Sequence, residues 1–296
     1  MRFSLALSLA GVLAFQAAGA AAAAGAVANA GAVAADDDAA EDDKTADDEE
    51  PVAGRSLPPR RSVREALRTF ASDGRYLLTF PARPRAKGIW LTAGVTTATA
   101  LAIHRDEAIR AEVLEADGRT TRRVSTKLEP LGRHEVEVAA LGTLYLIGRG
   151  TGDARAVSTA ATAFESYLWA AIMTSVTKAA FGREPPGGGS GEGRFFAGDT
   201  IFPSGHTARS FAIAAVLADR HGRGAAWVAY PLAALVGLST IEQDRHWASD
   251  VISGAGLGLA IGKGIAARHP ATPPAPSRTT WQVLPAPGGA TVRIAY

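Results

Sequence analysis

The run Phe202-Pro203-Ser204-Gly205-His206-Thr207 opens an apolar stretch and crowds a proline, a hydroxyl residue, a glycine and a histidine into the start of a helix. A helix start presents unpaired backbone N–H groups and the positive end of the helix dipole, which suits an anion. Ser204 fits an N-cap, Gly205 lets backbone approach a ligand closely, and His206 exchanges a proton near neutral pH. Alone, the six residues are equally an ordinary capped helix with a surface histidine. The surrounding chain decides between the two.

Two further clusters flank this run. Upstream, Lys178 precedes Gly182-Arg183 at the end of a long apolar segment. Downstream lies Ser239-Thr240-Ile241-Glu242-Gln243-Asp244-Arg245-His246-Trp247-Ala248-Ser249-Asp250. His246 and Asp250 are four apart, so on a helix they share one face. There the carboxylate can hold one imidazole nitrogen and leave the other free as a nucleophile. Either pair alone is a common structural feature, and Lys178 alone is a common snorkelling residue at a helix end.

Apolar segments with helical spacing recur near 88–103, 136–148, 157–181, 207–219, 225–241 and 250–267, and a further helical pattern begins near Ser62. There Val63, Leu67, Phe70 and Leu77-Leu78 form one side, and Arg60, Arg61, Arg64 and Arg68 the other. The polar, basic stretch Arg105–Arg133 reads as part helix and part loop. The Gly/Pro-rich run Gly182–Gly193 reads as a mobile loop, and no Gly-Lys-Ser/Thr closes it into a P-loop.

Composition sets outer limits. The 296 residues are 47% hydrophobic, with an apolar count that leans on alanine, and there is no cysteine to form a disulfide or a thiolate site. The formal charge of +2 hides a segregation. Residues 1–50 hold ten acidic and two basic residues, leaving 29 basic and 19 acidic ones in 51–296, a net of about +10. A basic body suits an anionic substrate or a membrane surface. Residues 1–20 read as a signal peptide, with Arg2, an apolar run from Phe3 to Phe15 and small residues up to Ala20. Residues 21–55 read as a disordered Ala-rich and acidic linker, 60–267 as the helical domain, 268–280 as a Pro-rich linker and 281–296 as a C-terminal hairpin.

Over roughly 160–267 these motifs resemble the type 2 phosphatidic acid phosphatase and vanadium-dependent haloperoxidase superfamily, whose signature is K-x6-R-P, then P-S-G-H, then S-R-x5-H-x3-D. The likeness rests on the Gly-Arg-Glu-x-Pro context after Lys178, the F-P-S-G-H-T run and the run His246-Trp247-Ala248-Ser249-Asp250-Val251. It implies an all-α helical bundle, here with a short C-terminal β-hairpin, and metal-free phosphoester hydrolysis through a phosphohistidine. By that resemblance His246 attacks phosphorus, Asp250 orients it, and His206 serves as acid and then base. Ser204, Gly205, Lys178 and Arg183 would bind the phosphate. The motif arginines are replaced by Pro185 and Thr240, which leaves Arg183 and, from a helix position about 100° away, Arg245 as nearby compensating cations.

The implied substrate is a phosphomonoester or a lipid phosphate or pyrophosphate, with no cofactor, no metal and no nucleic-acid partner. Two other readings follow from the same resemblance: a weak or inactive scaffold, motivated by Pro185 and Thr240, and a vanadate-holding haloperoxidase. Most apolar segments run about 13–18 residues, short of the roughly 20 that cross a bilayer. Glu165, Arg209 and Asp219 would also be costly in lipid. The sequence therefore favours an exported domain of the cell envelope, soluble or membrane-associated, over an integral inner-membrane protein.

Overall fold

A computed structural model describes residues 57, 62–79, 86–115, 119–188, 192–270, 280–286 and 289–295. The signal peptide, the 21–55 linker and most of the Pro-rich linker lie outside the described residues. The architecture is all-α: α1 (Val63–Thr79), α2 (Ala86–Ile103), α3 (Asp106–Glu115), α4 (Arg119–Leu128), a 3-10 turn (Glu129–Gly132), α5 (His134–Thr151), α6 (Ala154–Phe181), α7 (Gly205–Glu242) and α8 (Ala248–Arg268). Two strands, β1 (Thr280–Ala286) and β2 (Gly289–Ala295), pair antiparallel, with Val283 opposite Val292.

The bundle is arranged around α8. Its Gly254, Gly258 and Gly262 recur every four residues and so share one face. A Cβ on them would meet the carbonyl oxygens of Ser204, Ala208 and Ala212 at 2.5, 2.2 and 2.4 Å, so α7 and α8 touch backbone to backbone. The other α8 glycines serve different neighbours: Gly256 faces Val95 of α2, and Gly264 faces Leu77 of α1. Alanine completes the fit. Ala170, Ala208 and Ala212 are fully buried beside Trp169, Ile261 and Ile265. The small residues thus pack helices, which accounts for a core rich in alanine and poor in aromatics. Gly258→Leu is expected to cost at least about 2–3 kcal/mol through overpacking, lowering Tm by about 5–10 °C in a thermal melt.

Local signals set the helix ends. Gly152 takes the left-handed conformation (φ 72°) after α5, and Asp153 caps α6 by accepting from the backbone N–H groups of Arg155 and Ala156. At the base of the bundle Gly74 of α1 leaves room for the Trp169 ring, which also stacks on Phe70 at 4.5 Å. Arg268 and His269, at the end of α8, both bind the buried Asp73 of α1.

Three expectations change. The first concerns the membrane, not the helix count: the segments near 207–219 and 225–241 are two helical stretches of α7 that meet at Gly222 (φ 75°, ψ −161°), where the chain doubles back so that Gly237 lies against Thr207 and Tyr230 against Phe211. By length and composition alone, an 18-residue apolar window within α7 and another within α8 are long enough to cross a membrane, although roughly two-fifths of each window is buried in the bundle. The basic stretch 105–133 is mostly helical, as α3, α4 and the 3-10 turn. The described residues of the loop after α6, which was expected to be mobile, are bonded to one another and to the end of that helix. Glu184 N–H donates to Arg194 O at 3.0 Å, Phe196 N–H to Phe181 O at 2.7 Å, and Phe181, Phe195 and Phe202 pack edge to face.

Candidate active site at the starts of two helices

Close contact between α7 and α8 brings their N-termini together. Ser204 N–H donates to Asp250 O at 2.9 Å, so the P-S-G-H run is bonded directly to the start of α8. Ser204 is fully buried and is the N-cap of α7; its Oγ accepts from Thr207 N–H at 3.5 Å and from the Thr207 hydroxyl at 3.0 Å.

His246 and Asp250 do meet, but not as neighbours on a helix face. His246 lies in the turn before α8, Trp247 is the N-cap, and Asp250 is in the first turn. The fully buried Asp250 uses one oxygen, Oδ2, twice: it accepts from Trp247 N–H at 3.0 Å and lies 3.3 Å from His246 Nδ1. The cap bond therefore also aims the imidazole. With Nδ1 turned to the carboxylate, Nε2 is the nitrogen left for chemistry.

Arg183, expected to bind the phosphate, is engaged by two carboxylates instead. Only 2% exposed, its guanidinium bonds Asp250 Oδ1 and Ser249 Oγ at 2.6 Å, Asp106 Oδ2 at 2.8 Å and Gly193 O at 3.0 Å. It also lies over the rings of Phe195 and Trp247. Asp106, at the start of α3, completes this buried network by accepting from Ser249 N–H and its hydroxyl. Nothing in the sequence singled out Asp106, which lies in a polar stretch without a motif. Arg245 is likewise in the turn rather than on a helix, and it bonds the buried Glu129 at 2.7 Å with its side chain half exposed. Thr240 is buried and its hydroxyl donates back to Gly237 O, so it supplies no donor in the missing arginine's place.

A cation that sequence reasoning passed over stands next to Gly205. Arg209 Nη1 is 3.3 Å from where a Gly205 Cβ would lie, Thr174 Oγ1 is 3.8 Å from it, and Lys178 Nζ is 4.0 Å from it. Arg209 is held from behind by Glu137 (Nε–Oε2, 2.9 Å) and by Gly132 O (Nη2, 3.0 Å). The signal was its spacing, one helical turn beyond Gly205.

The charge balance of this pocket is positive. Burial first, then the nearby charges of Arg209 and His246, pushes His206 down to about 4, with Glu129 pulling the other way. Burial and Arg209 also lower Lys178, against the pull of Asp250. His206 is thus held neutral at neutral pH. Between about pH 6.5 and 4 the unfolded chain protonates this histidine before the folded one does, so the group's contribution to stability falls as pH falls through that window. An arriving dianion reverses the field and should restore the proton. Sulfate, dianionic throughout this range, is expected to bind with proton uptake at pH 5–6, read by calorimetry in buffers of different ionisation enthalpy. His206→Asn should bind without that uptake, and equal uptake by both proteins would contradict the assignment.

Of the predicted residues, Lys178, Ser204, Gly205, His206, His246 and Asp250 therefore converge, whereas Arg183 and Arg245 are engaged by carboxylates. Among the described residues one cluster, Asp73, Glu165 and His269, brings carboxylate and imidazole atoms within 4.8 Å of one another. It lies at the far end of α8, about 30 Å away along that 21-residue helix, and Arg268 is bound to Asp73.

The chain is 36% identical over 94 residues to the lipid A 1-phosphatase of Porphyromonas gingivalis, a match covering 31% of this chain and 19% of that protein. The matched part thus spans about a fifth of that relative's length. A crystal structure described as the first transmembrane PAP2 type phosphatidylglycerolphosphate phosphatase, from Bacillus subtilis, is 19% identical with a TM-score of 0.48, covering 62% of this chain and 96% of that one. Residues 159–272, which hold Lys178, His206, His246 and Asp250, match the family model of the PAP2 superfamily.

Proposed function

We propose that the chain is an exported, membrane-associated phosphatase that hydrolyses lipid phosphates or related phosphomonoesters and pyrophosphates through a phosphohistidine. The observation that carries this reading is His246, aimed by Asp250, beside a pocket shared by His206, Lys178 and the Gly205 N-terminus. In the first step Nε2 of His246 attacks phosphorus, a P–N bond forms and the P–O bond to the leaving group breaks, with His206 donating a proton to the departing oxygen. In the second, His206 takes a proton from water, the oxygen attacks phosphorus, and the P–N bond breaks to release phosphate. Asp250 stabilises the imidazolium, and the cations stabilise the equatorial oxygens, the main source of catalysis in phosphoryl transfer.

Support for a lipid substrate comes from the relative's printed activity and from the surface. Trp90, Leu101, Leu146, Ile147, Trp227 and Val228 are all exposed, an apolar cover suited to a bilayer. The test is phosphate release from a lipid phosphate in mixed micelles and from a soluble phosphomonoester, wild type beside His246→Ala. Release by the wild type alone supports the reading, and none from a broad panel overturns it. That second result would favour the scaffold reading, which rests on Pro185 and on Thr240 donating back into its own helix. Peroxide-dependent halide oxidation with added vanadate tests the haloperoxidase reading.

A further inference from the structure

The two motif arginines are replaced by Pro185 and Thr240, and the residues expected to compensate, Arg183 and Arg245, are tied to carboxylates. We propose that Arg209 is the substitute: it reaches the phosphate pocket from within α7 and supplies the guanidinium that the two motif positions lack. The inference rests on the phosphatase reading above and adds to it a residue outside all three motifs.

Three features carry it. Position comes first: Arg209 lies on the turn of α7 that follows Gly205, and its Nη1 stands beside that glycine, the first residue of the helix. A Cβ at 205 would stand 3.3 Å from Nη1, so glycine there keeps open the space between the guanidinium and the helix terminus. Second is preorganisation. Glu137 and Gly132 O bind Nε and Nη2, fix the plane of the group and leave Nη1 for a ligand. Glu137 is itself held by Ser210, which donates to its other oxygen at 2.8 Å. Third is charge. Arg209 is one of the causes that depress both Lys178 and His206, so its field reaches the two groups that would face the phosphate. A forked, permanently charged donor beside Lys178 matches the needs of a phosphoryl group better than a second ammonium would.

The competing account is that Arg209 only neutralises buried Glu137. Arg209→Gln with Glu137→Gln separates the two, because it removes both charges and keeps a hydrogen-bonded pair in place. The readouts are the calorimetric Kd for inorganic phosphate, kcat/KM for a phosphomonoester, and Tm. A role at the phosphate predicts a rise in Kd of about tenfold to a hundredfold and a comparable loss in kcat/KM, with Tm within a few degrees of wild type. An unchanged Kd overturns the proposal. Should the double variant fail to fold, Arg209→Lys decides: it keeps the partner charge for Glu137 but loses the fork, so Kd should rise about fivefold or more, and an unchanged Kd again overturns the proposal. Wild-type protein that neither binds phosphate nor releases it would sink the phosphatase reading itself, an outcome distinct from a variant that behaves like wild type.

Discussion

Replacing His246 by alanine is expected to lower phosphate release by about 10³-fold or more, at least about 4 kcal/mol of transition-state stabilisation, with little change in Tm. The loss is large because no other imidazole is aimed by Asp250. The fold should survive because Asp250 keeps Trp247 N–H on Oδ2 and Arg183 on Oδ1, so no buried charge is stranded. KM should change little, since the cations at Gly205 remain. Initial rates with a soluble phosphomonoester and a melting curve check both halves of the expectation.

Arg183 should behave in the opposite way. Arg183→Met strands two nearly inaccessible carboxylates, Asp106 and Asp250, which share this guanidinium. Removing one partner of such a network costs about 3–5 kcal/mol, because the remaining charge stays buried without a counterion. A loss of that size should lower Tm by about 10 °C or more, or prevent folding at 37 °C. The same substitution would spare Tm and remove only activity if Arg183 were a phosphate ligand. Chemical denaturation of the variant therefore separates a scaffold residue from a substrate-binding one. Adding Asp106→Asn should recover part of the loss, because it removes one of the stranded charges.

The helical class and most helices were legible, because 3.6-residue periodicity survives in the single sequence from Val63 to Arg268. The spacing of Lys178, Ser204-Gly205-His206 and His246-x3-Asp250 also pointed to one pocket, and α7 and α8 bring these residues together. What escaped was the arrangement of charge. The pairings of Arg183 with Asp106, Arg245 with Glu129 and Arg209 with Glu137 link residues 72 to 116 positions apart, and no local pattern announces them. The break at Gly222 was legible as the gap between the apolar segments 207–219 and 225–241, and glycine supplies the φ of 75° that the reversal requires. The His246–Asp250 contact was anticipated for the wrong geometric cause. Four-residue spacing brings groups together at a helix entry as well as on a helix face, and here the N-cap bond to Trp247 does it.

The proposed catalysis proceeds through a covalent bond between phosphorus and His246. Its most direct test is to quench the full-length protein during turnover of a ³²P-labelled phosphomonoester and map the label. The expected result is an acid-labile, alkali-stable phosphoenzyme carried by the peptide that contains His246 and absent from His246→Ala. Label on a different residue, or undiminished phosphate release by His246→Ala, would contradict it.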